Sequence, residues 1–157
     1  MPPLQIRRVV TGHDANGKAV VHIDEPVKNV LSNRPGAQSS VIWTTQGFPA
    51  DNTAPAEADL LQTTLPGGTV FRVLQLDPGV AARNHRTDSI DYAVVMAGEI
   101  DMDLDGSVVH LRAGDVLVQR GTIHNWINRG SEPCTIAFIL IDAKPVEIAG
   151  KVLHAEG

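Results

Sequence analysis

The chain has little that would staple it, anchor it or charge it strongly. Cys134 is its only cysteine, so no internal disulfide can form, and a reducing cytoplasm is the expected setting. The opening MPPLQIRRVV has no apolar core of the length a signal peptide needs. No run approaches the length of apolar residues that would cross a bilayer, so no membrane partner is expected. There is no basic run, and the formal charge of -5 argues against nucleic acid and anionic membrane surfaces as partners. No helical period of useful length is present; the segment 56–64 could form at most a turn or two. Internal repeats, low-complexity tracts and linkers are also missing, as are a nucleophile elbow, a P-loop and a dinucleotide fingerprint.

What is there reads as an all-β protein. The length of 157 residues suits a single domain with a proper core, and the 43% hydrophobic and 20% charged content is that of an ordinary globular chain. Gly occurs 14 times and Pro 10 times, between short runs rich in Val, Ile, Leu and Thr. Strands are predicted over 6–10 and 20–23, joined by a hairpin at Asn16-Gly17, and over 40–44, 68–76 and 84–87. A long strand is predicted over 91–104, bent at Gly98, and shorter ones over 107–112, 116–119, 124–128 and 135–141. The connection 47–57 is polar, and 143–157 reads as a tail that packs on the surface or frays. Short strands at this spacing form a sandwich or a closed barrel.

Among six histidines, His85 and His124 form the best pair, each near the start of a short strand. Residues 85, 87 and 91 share one strand face if no bulge intervenes, and 124, 126 and 128 share another. If both faces look into a barrel, His85, Asp91 and His124 supply two imidazoles and a carboxylate. That set suits Fe(II), and equally Zn, Mn or Ni. The alternative for each His is a hydrogen-bonded structural residue. Tyr92 and Trp126 are either core aromatics or pocket walls. DMDLDG (101–106) begins like a calcium loop but places Arg112 where a bidentate Glu is required, so Asp101 and Asp103 read as the solvated face of a strand. Cys134 reads as a packed, inert thiol.

These residues resemble the two motifs of the cupin family. Gly79, His85, Thr87, Asp91 and Gly98 keep every spacing of the first motif, G-x5-H-x-H-x3–4-E-x6-G. Gly114, Gly121, His124 and Asn128 match the second, G-x5-P-x-G-x2-H-x3-N, with one residue missing before Gly121 and Gln119-Arg120 where Pro is usual. The resemblance implies a double-stranded β-helix, or jelly-roll barrel, with an N-terminal hairpin added. It also implies a metal position made by His85, Thr87, Asp91 and His124, in which Thr87 replaces a His and Asp91 a Glu. Gln119 and Arg120 would line the barrel mouth, where Arg120 could pair with a substrate carboxylate.

Three functions follow as expectations. The first is a metal-dependent enzyme acting on a small organic acid or an aromatic or polyketide-like metabolite by dioxygenation, decarboxylation or isomerisation. Here His85, Asp91 and His124 hold the metal, and Thr87, Tyr92, Gln119, Arg120 and Trp126 shape the substrate pocket. The second is a metal-free cyclase, dehydratase or isomerase, with His85 or His124 as general acid or base and Asp91 orienting it. The third is a ligand-binding barrel without turnover. A homodimer is expected, because the hairpin needs an edge to cover.

Overall fold

The computed structural model describes residues 2–54 and 63–157. The turn considered for 56–64 lies almost wholly outside the described residues. Strands β1 (Arg7–His13) and β2 (Ala19–Pro26) form the N-terminal hairpin. Its turn is held by the Asp14 carboxylate, which accepts hydrogen bonds from the amides of Asn16 and Lys18 at 2.8 and 3.0 Å. Then follow β3 (Val30–Arg34), β4 (Ala37–Gln46), β5 (Gly68–Leu76), β6 (Ser89–Ala97), β7 (Glu99–Leu104) and β8 (Ser107–Arg112). The remainder are β9 (Val116–Arg120), β10 (Asn125–Ile127), β11 (Cys134–Asp142), β12 (Val146–Ile148) and β13 (Lys151–Leu153). Among the described residues there is no helix.

Two antiparallel sheets carry the architecture. The larger has six strands in the order β3-β4-β5-β11-β6-β9, and the smaller has three in the order β10-β7-β8. Strand β11 returns to lie between β5 and β6, so the last long strand zips together elements made much earlier. Alternation sends Val70, Leu76, Ala93, Val95, Ile136, Phe138 and Leu140 inward from the large sheet, to meet Ile100, Met102, Leu111 and Trp126 from the small one. Each such side chain contributes about 1.5–3 kcal/mol on full burial, which outweighs any of the exposed ion pairs at ~0–1 kcal/mol. A second, outer cluster of Leu4, Ile42 and Val73 with Ile6, Val27 and Val30 fastens the N-terminal segment to the back of β4 and β5.

The predicted strand 91–104 is two strands broken at Gly98, whose φ is +75°. A Cβ there would sit 2.4 Å from the Pro133 carbonyl oxygen, so both the turn and the close approach require glycine. The hairpin turn at Asp105-Gly106 falls where expected, both residues having positive φ. One expectation is corrected: segment 84–87 is not a strand but a loop making two isolated antiparallel bridges, His85 to His124 and Arg86 to Glu156. Strand β3 was not foreseen. Of the two alternatives for the tail, it does not fray: it forms the β12–β13 hairpin and pairs through Glu156 with Arg86.

Candidate functional site

The site is built on the His85–His124 bridge. Each backbone N–H donates to the other's carbonyl, both at 3.0 Å, so the two residues face each other directly and their side chains leave the bridge on one side. The imidazole centroids are 4.2 Å apart and tilted by 53°. Each ring is fixed locally. His85 Nδ1 lies 3.0 Å from the Arg83 carbonyl, and His124 Nδ1 lies 2.9 Å from the Thr122 carbonyl. A carbonyl only accepts, so both rings carry the proton on Nδ1 and leave Nε2 with a bare lone pair. Trp126 meets His124 edge-on at 5.8 Å and Phe138 at 5.9 Å, which backs the pair with the core. Burial lowers both imidazole pKa values, His124 to about 4, and the nearby Arg83 and Arg34 charges push the same way. Both rings are therefore neutral at pH 7.

Asp91 turns inward from β6 and is 5% exposed. Its carboxylate accepts a 2.6 Å hydrogen bond from Ser89 Oγ, which in turn is 2.8 Å from Thr87 Oγ1. Burial raises the Asp91 pKa above the ordinary carboxylate value, opposed by the Ser89 hydrogen bond and by the charge of Arg72. A buried acid with a raised pKa thus lines the same cavity as two bases with lowered ones.

That cavity has a volume of about 340 Å³. Its apolar wall includes Leu31, Leu74, Trp126, Phe138 and Leu140, and its polar lining includes Arg34, Arg72, Arg83, His85, Thr87, Asp91 and His124. Of the residues singled out in the sequence, His85, Thr87, Asp91, His124 and Trp126 line this cavity. Tyr92 is not a pocket wall: alternation along β6 places it on the outer face, 49% exposed. Arg120 also points outward, because its neighbour Gln119 is the inward residue of β9. Gln119 is buried opposite Asp91 but lies behind the lining, with Nε2 3.5 Å from Met102 Sδ. The three arginines were missed. One signal was available: Arg72 stands in phase with Val70, Leu74 and Leu76, a charge on the core-facing side of β5.

Comparison with known proteins follows this geometry. Residues 72–141 match the Cupin domain family. The phomopsin biosynthesis cluster protein C' of Diaporthe leptostromiformis is 40% identical over 159 residues, covering 93% of this chain and 83% of that protein. The chain is a cupin. The cupin-domain-containing oxidoreductase fogC of Aspergillus ruber is 34% identical over 160 residues, covering 96% of this chain and 79% of that one. KdgF from Halomonas sp. shares the fold, with a TM-score of 0.52 at 16% identity over 73% of this chain and 86% of that one.

Cupins commonly hold a metal at the four positions occupied here by His85, Thr87, Asp91 and His124. The side chains of this cupin do not fit one. Only the imidazole pair converges; among the described residues no three His, Cys, Asp or Glu side chains come close enough together to hold an ion. Among the described residues, Asp91 is not grouped with His85 and His124 as a third ligand. Asp91 is engaged by Ser89, and the Thr87 hydroxyl is a poor ligand that is itself hydrogen-bonded to Ser89. Three guanidiniums on the same lining oppose a dication further. Cys134 takes no part: it is fully buried, and burial pushes its thiol up to about 11.

Proposed function

We propose that this cupin is a metal-independent enzyme that moves protons on a small organic metabolite, an isomerisation at the His85–His124 pair. The observation that carries this reading is the pair itself: two neutral imidazoles, side by side on one backbone bridge, each with Nδ1 tied to a carbonyl and Nε2 bare. In a proton shift, one Nε2 takes a proton from substrate carbon and the electron pair moves along the substrate's π system. The imidazolium so formed, or the protonated Asp91 carboxyl, returns a proton at the new position. Burial keeps both imidazoles in the free-base form that can accept a proton and favours the protonated form of Asp91, which can give one. The apolar wall of Trp126, Phe138 and Leu140 keeps water from quenching the carbanion.

The relatives support an enzyme of small-molecule biosynthesis, since one is named for a biosynthesis cluster. The competing reading, a metal-dependent oxidoreductase, is favoured by the name of the Aspergillus ruber relative. One experiment separates them. A panel of 2-oxo and β,γ-unsaturated acids is incubated with the protein in D2O, with and without EDTA, and deuterium uptake is followed by NMR. Catalysed exchange is expected to survive EDTA and to fall at least about 100-fold in His124→Ala. Exchange or turnover that appears only after Fe, Zn, Mn or Ni is added would instead establish the oxidoreductase reading.

A further inference from the structure

We propose that Arg34 and Arg72 form a carboxylate-binding subsite, so that the substrate is an organic acid with an apolar body. The proposal deepens the reading of this cavity as the substrate site. Arg34 ends β3 and Arg72 lies in the middle of β5, with β4 between those strands, and both side chains line the cavity; the one acid of the described lining, Asp91, acts on Arg72 through charge without an ion-pair contact. Neither makes an ion pair or a hydrogen bond with any described residue. Arg34 Nη1 and Arg72 Nε are buried, and neither has an acceptor among the described residues. A buried donor without an acceptor costs about 1–3 kcal/mol, more when charged. Two such donors on one wall suit an anionic group of a ligand.

The other charges facing the cavity fix the sign. Arg83 is already engaged, donating to an oxygen of Gly157 at 3.0 and 3.3 Å. Among the described residues that line the cavity, Asp91 is the only acid; it stays more than 4 Å from either guanidinium's nitrogens, as no ion pair joins them. Two unpaired guanidiniums against one buried acid leave a net positive wall. The rest of the lining decides the ligand's body. Leu31, Leu74, Trp126, Phe138 and Leu140 make a largely apolar surface that suits an apolar body, with Gln38, Ser39 and Thr63 as further polar groups of the lining. A planar carboxylate matches the guanidinium fork and needs only one end of the cavity polar. Seated there, the acid would present its body between the apolar wall and the imidazole pair, which is the arrangement a proton shift near the carboxylate requires.

The test is a titration of the intact protein with benzoate, benzamide and phenyl phosphate by isothermal calorimetry, with the ring signals of His85 and His124 followed by NMR. Benzoate is expected to bind and to shift those signals, and benzamide to bind at least about 10-fold more weakly. Arg72→Gln is expected to weaken benzoate at least 10-fold while leaving benzamide unchanged, and Arg34→Lys to weaken it less. Equal affinity for benzoate and benzamide, or a benzoate affinity untouched in Arg72→Gln of native circular dichroism, would overturn the proposal; preference for phenyl phosphate over benzoate would replace the carboxylate with a phosphate ester. Binding is read without turnover, so a benzoate-binding protein that fails to exchange deuterium refutes the proton-transfer reading and leaves the subsite standing.

Discussion

His124 is where one residue's environment is most measurable. It is 4% exposed, and its pKa falls from 6.5 to about 4 chiefly by burial. Between those values the unfolded chain takes up a proton that the folded chain refuses. The contribution of His124 to stability is therefore full above about pH 6.5 and is lost as pH falls toward 4, a difference on the order of 3 kcal/mol. Asp91, whose folded pKa is raised, works with the opposite sign: its contribution is present at low pH and fades as pH rises through the folded value. Urea midpoints at pH 7.5 and 5.0 are expected to fall less in His124→Gln than in the natural protein, because the variant has no proton to refuse. Ring-nitrogen NMR at pH 7 should show both imidazoles neutral and protonated on Nδ1; a charged ring at that pH would contradict the burial. An anion on Arg34 cancels a charge that depresses both imidazoles, so the His124 midpoint should rise when benzoate is bound.

At the scale of elements, the sequence was most legible where a turn residue and an alternating run agreed. The hairpin at Asp105-Gly106 and the irregularity at Gly98 follow from glycine's freedom at positive φ, whereas period two gave the face shared by 85, 87 and 91 but not its direction. It was least legible where the backbone is extended without being a strand. Residues 84–87 look like a strand because His85 and Arg86 each make one bridge, to different partners, and no ladder continues. Tyr92 and Arg120 were placed in the pocket through proximity in sequence to Asp91 and Gln119, yet the pleat sends neighbours to opposite faces. Strand β3 and its Arg34 carry no alternation strong enough to see, and they complete the anion wall. Gly98→Ala tests the element level directly. Its φ of +75° and the 2.4 Å approach to Pro133 predict a loss of about 2–4 kcal/mol, read as a lower urea midpoint at unchanged slope.

At the scale of the whole molecule, the described residues leave an apolar patch uncovered. Tyr92, Val94 and Met96 on β6 and Val116 and Val118 on the edge strand β9 all lie on the outside of the large sheet, each at least 41% exposed. The sequence led to a homodimer through the N-terminal hairpin; we propose this patch as the seam with a second copy instead. Sedimentation at micromolar concentration is expected to give the dimer mass, and Val116→Lys with Val118→Lys to shift it to the monomer; a natural protein that sediments as a monomer would remove the seam. Membership of the cupin family and the all-β barrel were both readable from motif spacing. The hydrogen bond from Ser89 to Asp91 was not, because side-chain pairing two residues apart on one strand face depends on rotamers that spacing does not fix.

The bridge between His85 and His124 has a further use. Its two amides exchange hydrogen with solvent only when each releases the other's carbonyl, and that same opening parts the imidazoles. The exchange rate of those two protons is thus a clock for how often the reactive pair is dismantled, readable in the resting protein with no substrate at all.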